Sequence, residues 1–193
     1  MTVIVALKDM DKGITYIGGD GRRQFGNVIV PLSKKEGKVF VSGGLVFGHT
    51  GMAKIRNITR NVQFRFKKGY PKLGFNLEDM LMTHLIPKFK SYAKEKGYLS
   101  EEKGIPSMGG TVLVAIGTQI CIIHSDFSVT PIEGLYTAIG SGQQVALGAL
   151  QMGVIHSNLT PRKLVNETLK ICGQHINSVG PPYIVKTTKI LGK

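Results

Sequence analysis

The residue with the clearest chemical potential is Thr2, which follows Met1 and precedes the apolar run Val3–Ala6. If Met1 is removed, Thr2 carries both a hydroxyl and a free α-amine. A hydroxyl is a weak nucleophile that needs a base, and an α-amine with a pKa of about 7.7–8.0 is partly neutral at pH 7 and can take the proton. One residue could then be both nucleophile and base. Taken alone, however, the stretch is more typical of an ordinary edge strand.

The sequence contains none of the common cofactor-binding or hydrolase motifs. Residues Gly140–Val145 follow a predicted strand, as a dinucleotide-binding turn would, but Val145 replaces the third glycine or alanine. No acidic residue follows about 20 positions later, as that motif requires. Neither a phosphate-binding P-loop nor a Gly-x-Ser-x-Gly elbow is present. The five histidines form no short metal-binding motif, so we predict neither a metal nor a cofactor.

The composition is that of a globular protein with an excess of positive charge. Hydrophobic residues make up 42%, and the net charge is +13. About half of the basic residues fall between Lys54 and Lys103, which favours a solvated helical face over a nucleic-acid surface. Cys121 and Cys172 have no disulfide or metal spacing, as expected for buried thiols in a reducing compartment. With no signal peptide and no membrane-length apolar run, we predict a cytoplasmic protein.

The apolar pattern predicts strands and helices in segregated runs. The predicted strands are Val3–Leu7, Ile14–Gly19, Lys38–Gly43, Gly44–His49, Thr111–Ile116, Gln119–His124, a short one within Ser125–Leu135, Tyr136–Gly140 and Tyr183–Thr187. The predicted helices are Gly51–Arg65, Leu77–Tyr92, Gln143–Ile155 and Pro161–Ile176. Pro87 should kink or divide its helix, and Glu95–Gly110 is predicted to be a loop. This order indicates an α+β fold with antiparallel sheets.

Four segments, in this order, resemble the proteasome β-subunit and HslV family of N-terminal nucleophile (Ntn) hydrolases. The first, Thr2–Ala6, resembles the family's mature Thr-Thr-Ile-Val start. The second, Gly19–Gly21 with Phe25-Gly26-Asn27, resembles its Gly-Asp-Gly and apolar-Gly-Asn pattern. Their order over nearly the whole chain makes the resemblance specific, and the Lys-Val-Phe…Gly-His-Thr-Gly variant looks most like proteasome-like proteins of bacteria and their phages. The segments are Thr2–Ala6, Gly19–Gly21 with Phe25-Gly26-Asn27, Lys38–Phe40 with Thr50-Gly51, and Ala138–Gly142 with a helix containing Ala146 and Ala149.

The resemblance implies a single domain over residues 1–193, folded as a four-layer αββα sandwich, and peptide-bond hydrolysis through an ester on Thr2. Asp20 would pair with Lys38, whose charge beside Thr2 lowers the pKa of the amine and keeps it neutral. Ser141 would hydrogen-bond near the amine and relay protons. The backbone N–H of Gly51 would donate to the oxyanion, at the start of a helix whose dipole favours negative charge.

The resemblance also implies positions for the substrate and for support of the amine. Gln24 and Gly51 would hold the substrate as an extended strand. The family usually has an aspartate three residues before a serine near the end of its last helix. Here His175 and Ser178 occupy those places. This departure weakens the expected support around the amine of Thr2.

Assembly and substrate class follow from the same resemblance. It implies homo-oligomeric rings that hide the site in a chamber open to unfolded polypeptides, and family members of this type often need a ring ATPase.

Two other classes of function stay open. A catalytically silent ring subunit would tolerate Thr2→Ala, and a nucleic-acid-associated protein would bind through the Lys54–Lys103 region with a steep salt dependence. Amide hydrolysis of a small molecule and peptide ligation are further possible Ntn reactions.

Overall fold

The structure is a computed structural model that describes residues 2–25, 28–33, 36–62, 64–66, 74–102 and 104–189. Met1, Lys103 and the Gly26-Asn27 pair of the second family segment lie outside the described residues. The strands are Val3–Asp9 (β1), Ile14–Gly19 (β2), Arg22–Phe25 (β3), Val28–Pro31 (β4), Val39–Ser42 (β5), Leu45–Gly51 (β6), Ser100–Glu102 (β7), Ile105–Ser107 (β8), Gly110–Ile116 (β9), Gln119–Ile123 (β10), Val129–Pro131 (β11), Tyr136–Gly140 (β12) and Ile184–Thr187 (β13). The helices are Ala53–Asn61 (α1), Leu77–Met80 (α2), Ile86–Glu95 (α3), Gln143–His156 (α4) and Pro161–His175 (α5), with a π-helical turn at Leu81–Leu85 between α2 and α3.

Two antiparallel sheets form the centre of the fold. The first has the strand order β12-β1-β2-β13, and the second has the order β11-β10-β9-β6-β5. Val3, the first residue of β1, pairs with Gly140 of β12 on one side of the strand. Ile4 pairs with Gly19 of β2 on the other side. The register therefore brings the start of β1, the end of β2 and the end of β12 to one edge of the sheet.

Alternating residues of β1 enter two different hydrophobic cores, as the two-residue period of a strand requires. Val3 and Val5 pack with residues of α4 and α5. Ile4 and Ala6 pack with residues of the second sheet. The opposite face of that second sheet is covered by α1, α2 and α3. This order of helices, sheet, sheet and helices confirms the predicted α+β fold and its αββα layers.

The structure corrects several predicted boundaries. Gly51 does not open the first helix: it is the last residue of β6, and α1 runs only from Ala53 to Asn61. The segment Glu95–Gly110 is not merely a loop, because it contains the hairpin β7–β8. The hairpin β3–β4 was not predicted at all. Both hairpins stand outside the two main sheets, so neither carries the long apolar alternation by which a strand is recognised.

The second predicted helix is divided, as Pro87 suggested. The N–H of Ile86 bonds to the carbonyl of Leu81, five residues back, and Pro87 lies in the first turn of α3. Leu85 and Ile86 have right-handed helical torsions, so the chain stays helical through this point and Pro87 distorts the helix without ending it. Among the described residues, no helix has the length and hydropathy needed to cross a lipid bilayer.

Candidate active site

Thr2 is held at the start of β1 by the loop that follows β12. Its backbone N–H donates to Ser141 Oγ at 3.1 Å, and the same hydroxyl donates to the carbonyl oxygen of Thr2 at 3.2 Å. The N–H of Gly142 also approaches that carbonyl, at 3.4 Å. Thr2 is 5% exposed. The Ser141-Gly142 turn therefore fixes the backbone of Thr2 from one side.

Asp20 lies at the end of β2 and fixes the same segment from the other side. Its carboxylate is fully buried. Oδ1 accepts the N–H of Val3 at 3.0 Å, and Oδ2 accepts the N–H of Arg22 at 3.1 Å. Lys38 Nζ donates to both oxygens at 3.0 Å. Each oxygen thus has two donors, an arrangement that suits an ionised carboxylate.

Lys38 completes this network from the segment before β5. It is 7% exposed, and its ammonium also donates to the carbonyl of Arg22 at 2.6 Å. Burial lowers the pKa of Lys38 and raises the pKa of Asp20, while the attraction between the two groups opposes both changes. Breaking such a buried pair leaves an uncompensated charge at a cost of about 3–5 kcal/mol. The pair is therefore a fixed part of the site.

Gly140 allows β12 to approach Thr2 closely, and Gly51 allows the end of β6 to pack closely against Gly109. Gly140 has φ +96°, and a Cβ on it would lie 2.2 Å from the carbonyl oxygen of Thr2 and 3.0 Å from Cγ2 of Thr50. Gly51 has φ +102°, and a Cβ on it would lie 2.5 Å from the carbonyl oxygen of Gly109. Both conformations strongly favour glycine. The glycines predicted for the site thus have a clear steric role.

Thr2 opens onto a pocket of about 250 Å³. Lys38, Gly51 and Gln24 also line it, so four of the predicted residues share this space. Asp20 and Ser141 lie behind it, bonded to the Val3 and Thr2 backbone respectively. The structure therefore brings together all five predicted catalytic residues and the predicted substrate contact Gln24.

His175 and Ser178 are not part of this arrangement. His175 is the exposed last residue of α5, and neither residue lines the pocket. Ser178 is buried in the turn after α5, and its Oγ has no hydrogen-bond partner. The contact from this turn comes instead from a carbonyl, because Asn177 accepts a bond from the guanidinium of Arg22. The turn after α5 thus contributes a backbone carbonyl, bonded to Arg22, to the surroundings of the pocket.

The sequence analysis assigned no role to the other lining residues, four of which have side chains that can carry a positive charge: Arg22, Arg23, Arg56 and His49. The two adjacent arginines follow Gly19-Asp20-Gly21 directly, a position that could have drawn attention to them. Arg56 is one residue in a basic helix, and nothing local distinguishes it. His49 stands in the Gly48–Gly51 segment, but no motif indicated that its side chain would be buried.

His49 is an unusual residue for such a pocket. Its ring is 7% exposed, lies edge-on to Phe40, and has a buried Nδ1 without a hydrogen-bond partner. The pKa of His49 is lowered to about 3, first by burial and then by the nearby charges of Arg60, Lys38, Arg56 and Arg23. The imidazole is therefore neutral near pH 7.

Metal and thiol chemistry find no support at this site. Within the described residues, no three histidine, cysteine, aspartate or glutamate side chains lie together as metal ligands. Burial raises the pKa of Cys172 to about 11 and that of Cys121 to about 12. Both thiols therefore stay protonated near pH 7 and are poor nucleophiles.

Sequence comparison finds relatives that match nearly the full length of the chain. It is 28% identical over 192 residues to the ATP-dependent protease subunit HslV of Campylobacter lari, covering 97% of this chain and 98% of that protein. It is also 28% identical over 164 residues to the HslV subunit of a Nitratiruptor species, covering 84% of each. No family model matches the chain.

Solved structures share the fold. Thiobacillus denitrificans BPH matches with a TM-score of 0.76 at 20% identity over 100% of both chains. The same protein in complex with epoxomicin matches with a TM-score of 0.75 at 19% identity over 98% of this chain and 99% of that one. HslV from Trypanosoma brucei matches with a TM-score of 0.65 at 14% identity over 96% and 98%. At these identities the likeness establishes the fold.

The αββα sandwich, with a threonine directly before the central strand β1, matches the fold of proteasome-like and HslV-type Ntn-hydrolase structures. In sequence and in fold, the chain resembles the HslV and proteasome β-type family over nearly its whole length.

Proposed function

We propose that this protein is an N-terminal threonine peptidase, in which Met1 is removed and Thr2 Oγ attacks a peptide carbonyl. The observation that carries the proposal is the position of the Thr2 backbone nitrogen, 3.1 Å from Ser141 Oγ. With Met1 present this nitrogen is an amide, and after removal of Met1 it is the α-amine. Its neighbour Val3 is bound to Asp20, which in turn holds Lys38. This arrangement supports an amine fixed beside a buried cation.

The proposed chemistry begins with proton transfer from Thr2 Oγ to the α-amine, directly or through a water. The hydroxyl oxygen then bonds to the peptide carbonyl carbon, and the resulting ammonium gives its proton to the leaving amine as the peptide C–N bond breaks. Ser141 accepts a hydrogen bond from the Thr2 nitrogen and donates one to its carbonyl. A water, deprotonated by the same amine, hydrolyses the ester and frees Thr2.

Electrostatics supports each role in this proposal. The Lys38 ammonium lowers the pKa of a nearby amine, because a like charge disfavours protonation. Asp20 keeps Lys38 in place through contacts of 3.0 Å to both of its oxygens. We assign the oxyanion to the backbone N–H of Gly51, which lies just before α1. Loss of one such donor typically costs about 10²–10³ in rate.

We further propose that residues 1–193 act as a single cytoplasmic domain within a homo-oligomeric ring. Exposed apolar side chains on α4, among them Met152 at 60% and Ile155 at 61%, support contact with a second copy. Gln24, on the strand β3 and in the lining of the pocket, supports an extended substrate bound as an added strand. Unfolded polypeptides would then be the substrates, with a ring ATPase as the candidate partner.

The deciding experiment is intact-mass analysis after incubation with epoxomicin, an epoxyketone that requires both the hydroxyl and the amine of an N-terminal threonine. A cleavable fusion that leaves Thr2 as the first residue removes any dependence on Met1 processing. We expect one adduct per chain on Thr2 and none on Thr2→Ala, which retains the fold and the amine but lacks the nucleophile. Absence of an adduct on the protein with a free Thr2 would contradict the proposal and favour a catalytically silent subunit.

A further inference from the structure

The pocket beside Thr2 is lined by an unusual concentration of basic side chains. Arg22, Arg23, Lys38 and Arg56 all line it, and no aspartate or glutamate stands among the described residues that do so. They come from three separate segments, β3, the residue before β5, and α1. A pocket with walls of one charge concentrates counter-ions of the opposite charge. The lining therefore points to an anionic occupant.

The carboxylates behind this lining do not cancel its charge. Asp20 is bound to Lys38 at 3.0 Å, and Glu36 is bound to Arg56 at 3.0 Å. Glu36 is 55% exposed, so water screens its charge strongly. The guanidinium of Arg22 is held by the neutral carbonyl of Asn177. Four cations facing two carboxylates leave a surplus of positive charge around the space next to Thr2.

His49 lies among the same cations. Its ring lines the pocket, and its pKa is lowered first by burial and then by the charges of four surrounding cations. Its Nδ1 is buried and lacks a hydrogen-bond partner. The neighbouring cations that disfavour the imidazolium would favour an anion at the same place.

The start of α1 adds to this preference. Met52 and Ala53 line the pocket, so the first turn of the helix faces it. That turn contains no acidic residue, and Met52 provides no side-chain cap for its N–H groups. Neither an acidic residue of that turn nor a side-chain cap therefore neutralises the partial positive charge of the helix N-terminus.

We infer that this pocket selects a substrate residue with a carboxylate side chain, glutamate or aspartate, at the position whose carbonyl is attacked by Thr2. This inference rests on the proposed peptidase function and adds its specificity. The scissile carbonyl must lie at Thr2 Oγ, so the side chain of the same residue lies nearest to the pocket that Thr2 lines. Arg22 and Lys38 are held in the network around Asp20, so we assign the carboxylate to the guanidinium groups of Arg23 and Arg56, which line the same pocket.

The test compares fluorogenic tetrapeptides that differ only in the residue before the coumarin leaving group. Glutamate and glutamine are nearly the same shape, so their ratio isolates the charge. With the full-length protein carrying a free Thr2, we expect kcat/KM to be at least tenfold higher for glutamate than for glutamine. Equal rates, or faster cleavage of the glutamine peptide, would overturn the inference.

Variants of the arginines show whether this pocket is the source of the preference. Arg23→Gln and Arg56→Gln should each lower the glutamate-to-glutamine ratio, and together they should bring it close to one. Arg56→Lys should retain most of it. Arg162→Gln, an equal change of charge on the exposed surface of α5, is the matched control and should keep the ratio of the unsubstituted protein. A ratio that survives in the double variant would place the selectivity elsewhere and contradict the inference.

A binding measurement separates this inference from the proposed function. Thr2→Ala protein is titrated with fluorescent hexapeptides that carry glutamate or glutamine at the tested position, and anisotropy gives the two Kd values. We expect at least fivefold tighter binding of the glutamate peptide, lost in Arg23→Gln/Arg56→Gln. If the glutamate peptide binds selectively but the unsubstituted protein does not cleave it, the proposed peptidase function is rejected and the subsite for a carboxylate side chain is retained. Cleavage without selectivity would do the reverse.

Discussion

Asp20 connects the residues of the candidate site more directly than any other described side chain. It binds Lys38 through both oxygens and also accepts the backbone N–H groups of Val3 and Arg22. These bonds join the start of β1, the end of β2 and the segment before β5. A change at Asp20 therefore alters both the position of Thr2 and the electrostatic environment of Lys38.

His49 should make the stability of the protein depend on pH. Its pKa is about 3 in the folded state and about 6.5 when unfolded, so between these values only the unfolded state binds the proton. The free energy of unfolding must then fall as the pH falls from about 6.5 toward 3. Between pH 7.5 and 4.5, this residue should remove about 2–3 kcal/mol. Urea unfolding at both pH values measures the change.

His49→Leu cannot bind that proton and should show a smaller loss of stability between the two pH values. His156→Leu, at the exposed end of α4, is the matched control and should lose as much as the unsubstituted protein. Parallel pH dependence in His49→Leu and the unsubstituted protein would show that His49 is not held neutral by its surroundings.

At the scale of elements, the site exists because several strands end at the same place. β1 begins at Val3, while β2 ends at Gly19, β6 at Gly51 and β12 at Gly140. Antiparallel pairing brings β12 and β2 to the two sides of β1. Packing of the two sheets then brings β6 across, and Gly48 permits this because a Cβ there would lie 2.4 Å from Cγ2 of Ile4.

Gly51→Ala should damage both the fold and the site. The new Cβ would lie 2.5 Å from the carbonyl oxygen of Gly109, and alanine would also be strained at φ +102°. We expect a loss of roughly 3 kcal/mol in the free energy of unfolding, from backbone strain together with overpacking. Urea denaturation measures this loss, and epoxomicin labelling should fall in the same variant.

Gly13→Ala separates the two causes of that loss. Gly13 also has positive φ, +63°, but a Cβ there would have no heavy atom within 4 Å. This variant should lose only about 1–2 kcal/mol, the usual cost of a left-handed alanine, and should keep full labelling. Equal losses in the two variants would mean that close packing against Gly109 is unimportant.

At the scale of the whole molecule, positive charge and exposed apolar surface lie on different helices. The net charge is +13, and the three cations of α1 are Lys54, Arg56 and Arg60. Arg56 and Arg60 already have partners, Glu36 and the carbonyl of Gly37. In contrast, α4 exposes Met152 and Ile155. We therefore expect contacts between copies to involve α4 and the basic surface to remain largely solvated.

Met152→Glu/Ile155→Glu should weaken assembly. Exposed apolar side chains that become buried between copies stabilise an oligomer in proportion to their area, and glutamate at the same positions would have to be desolvated. Light scattering coupled to gel filtration should show a species several-fold smaller than that of the unsubstituted protein at equal concentration. Gln174→Glu, on the exposed surface of α5, adds a charge without removing apolar area and should leave the mass unchanged. Unchanged mass in the double variant would exclude α4 as the interface.

Much of the site was predictable because local patterns encode it. Three short segments can be recognised from residue types and their order in the sequence alone. They are the Gly19–Gly21 turn, Thr2 before an apolar run, and Ser141 before a helix. The four layers were expected from the family resemblance, and the continuous apolar run of β1 agrees with a strand that is buried on both faces. Elements without long periodicity were missed, as β3–β4 and β7–β8 illustrate.

The pocket itself required the packed structure. Arg23 and Arg56 are 33 positions apart and belong to a hairpin and a helix, so no spacing rule relates them. The burial of His49 depends on Phe40 in the neighbouring strand, and its neutral state depends on cations from several elements. Residue type sets which chemistry is available at each position. Sheet register and layer packing set which of those groups meet, because proximity and desolvation arise between segments that are distant in the chain.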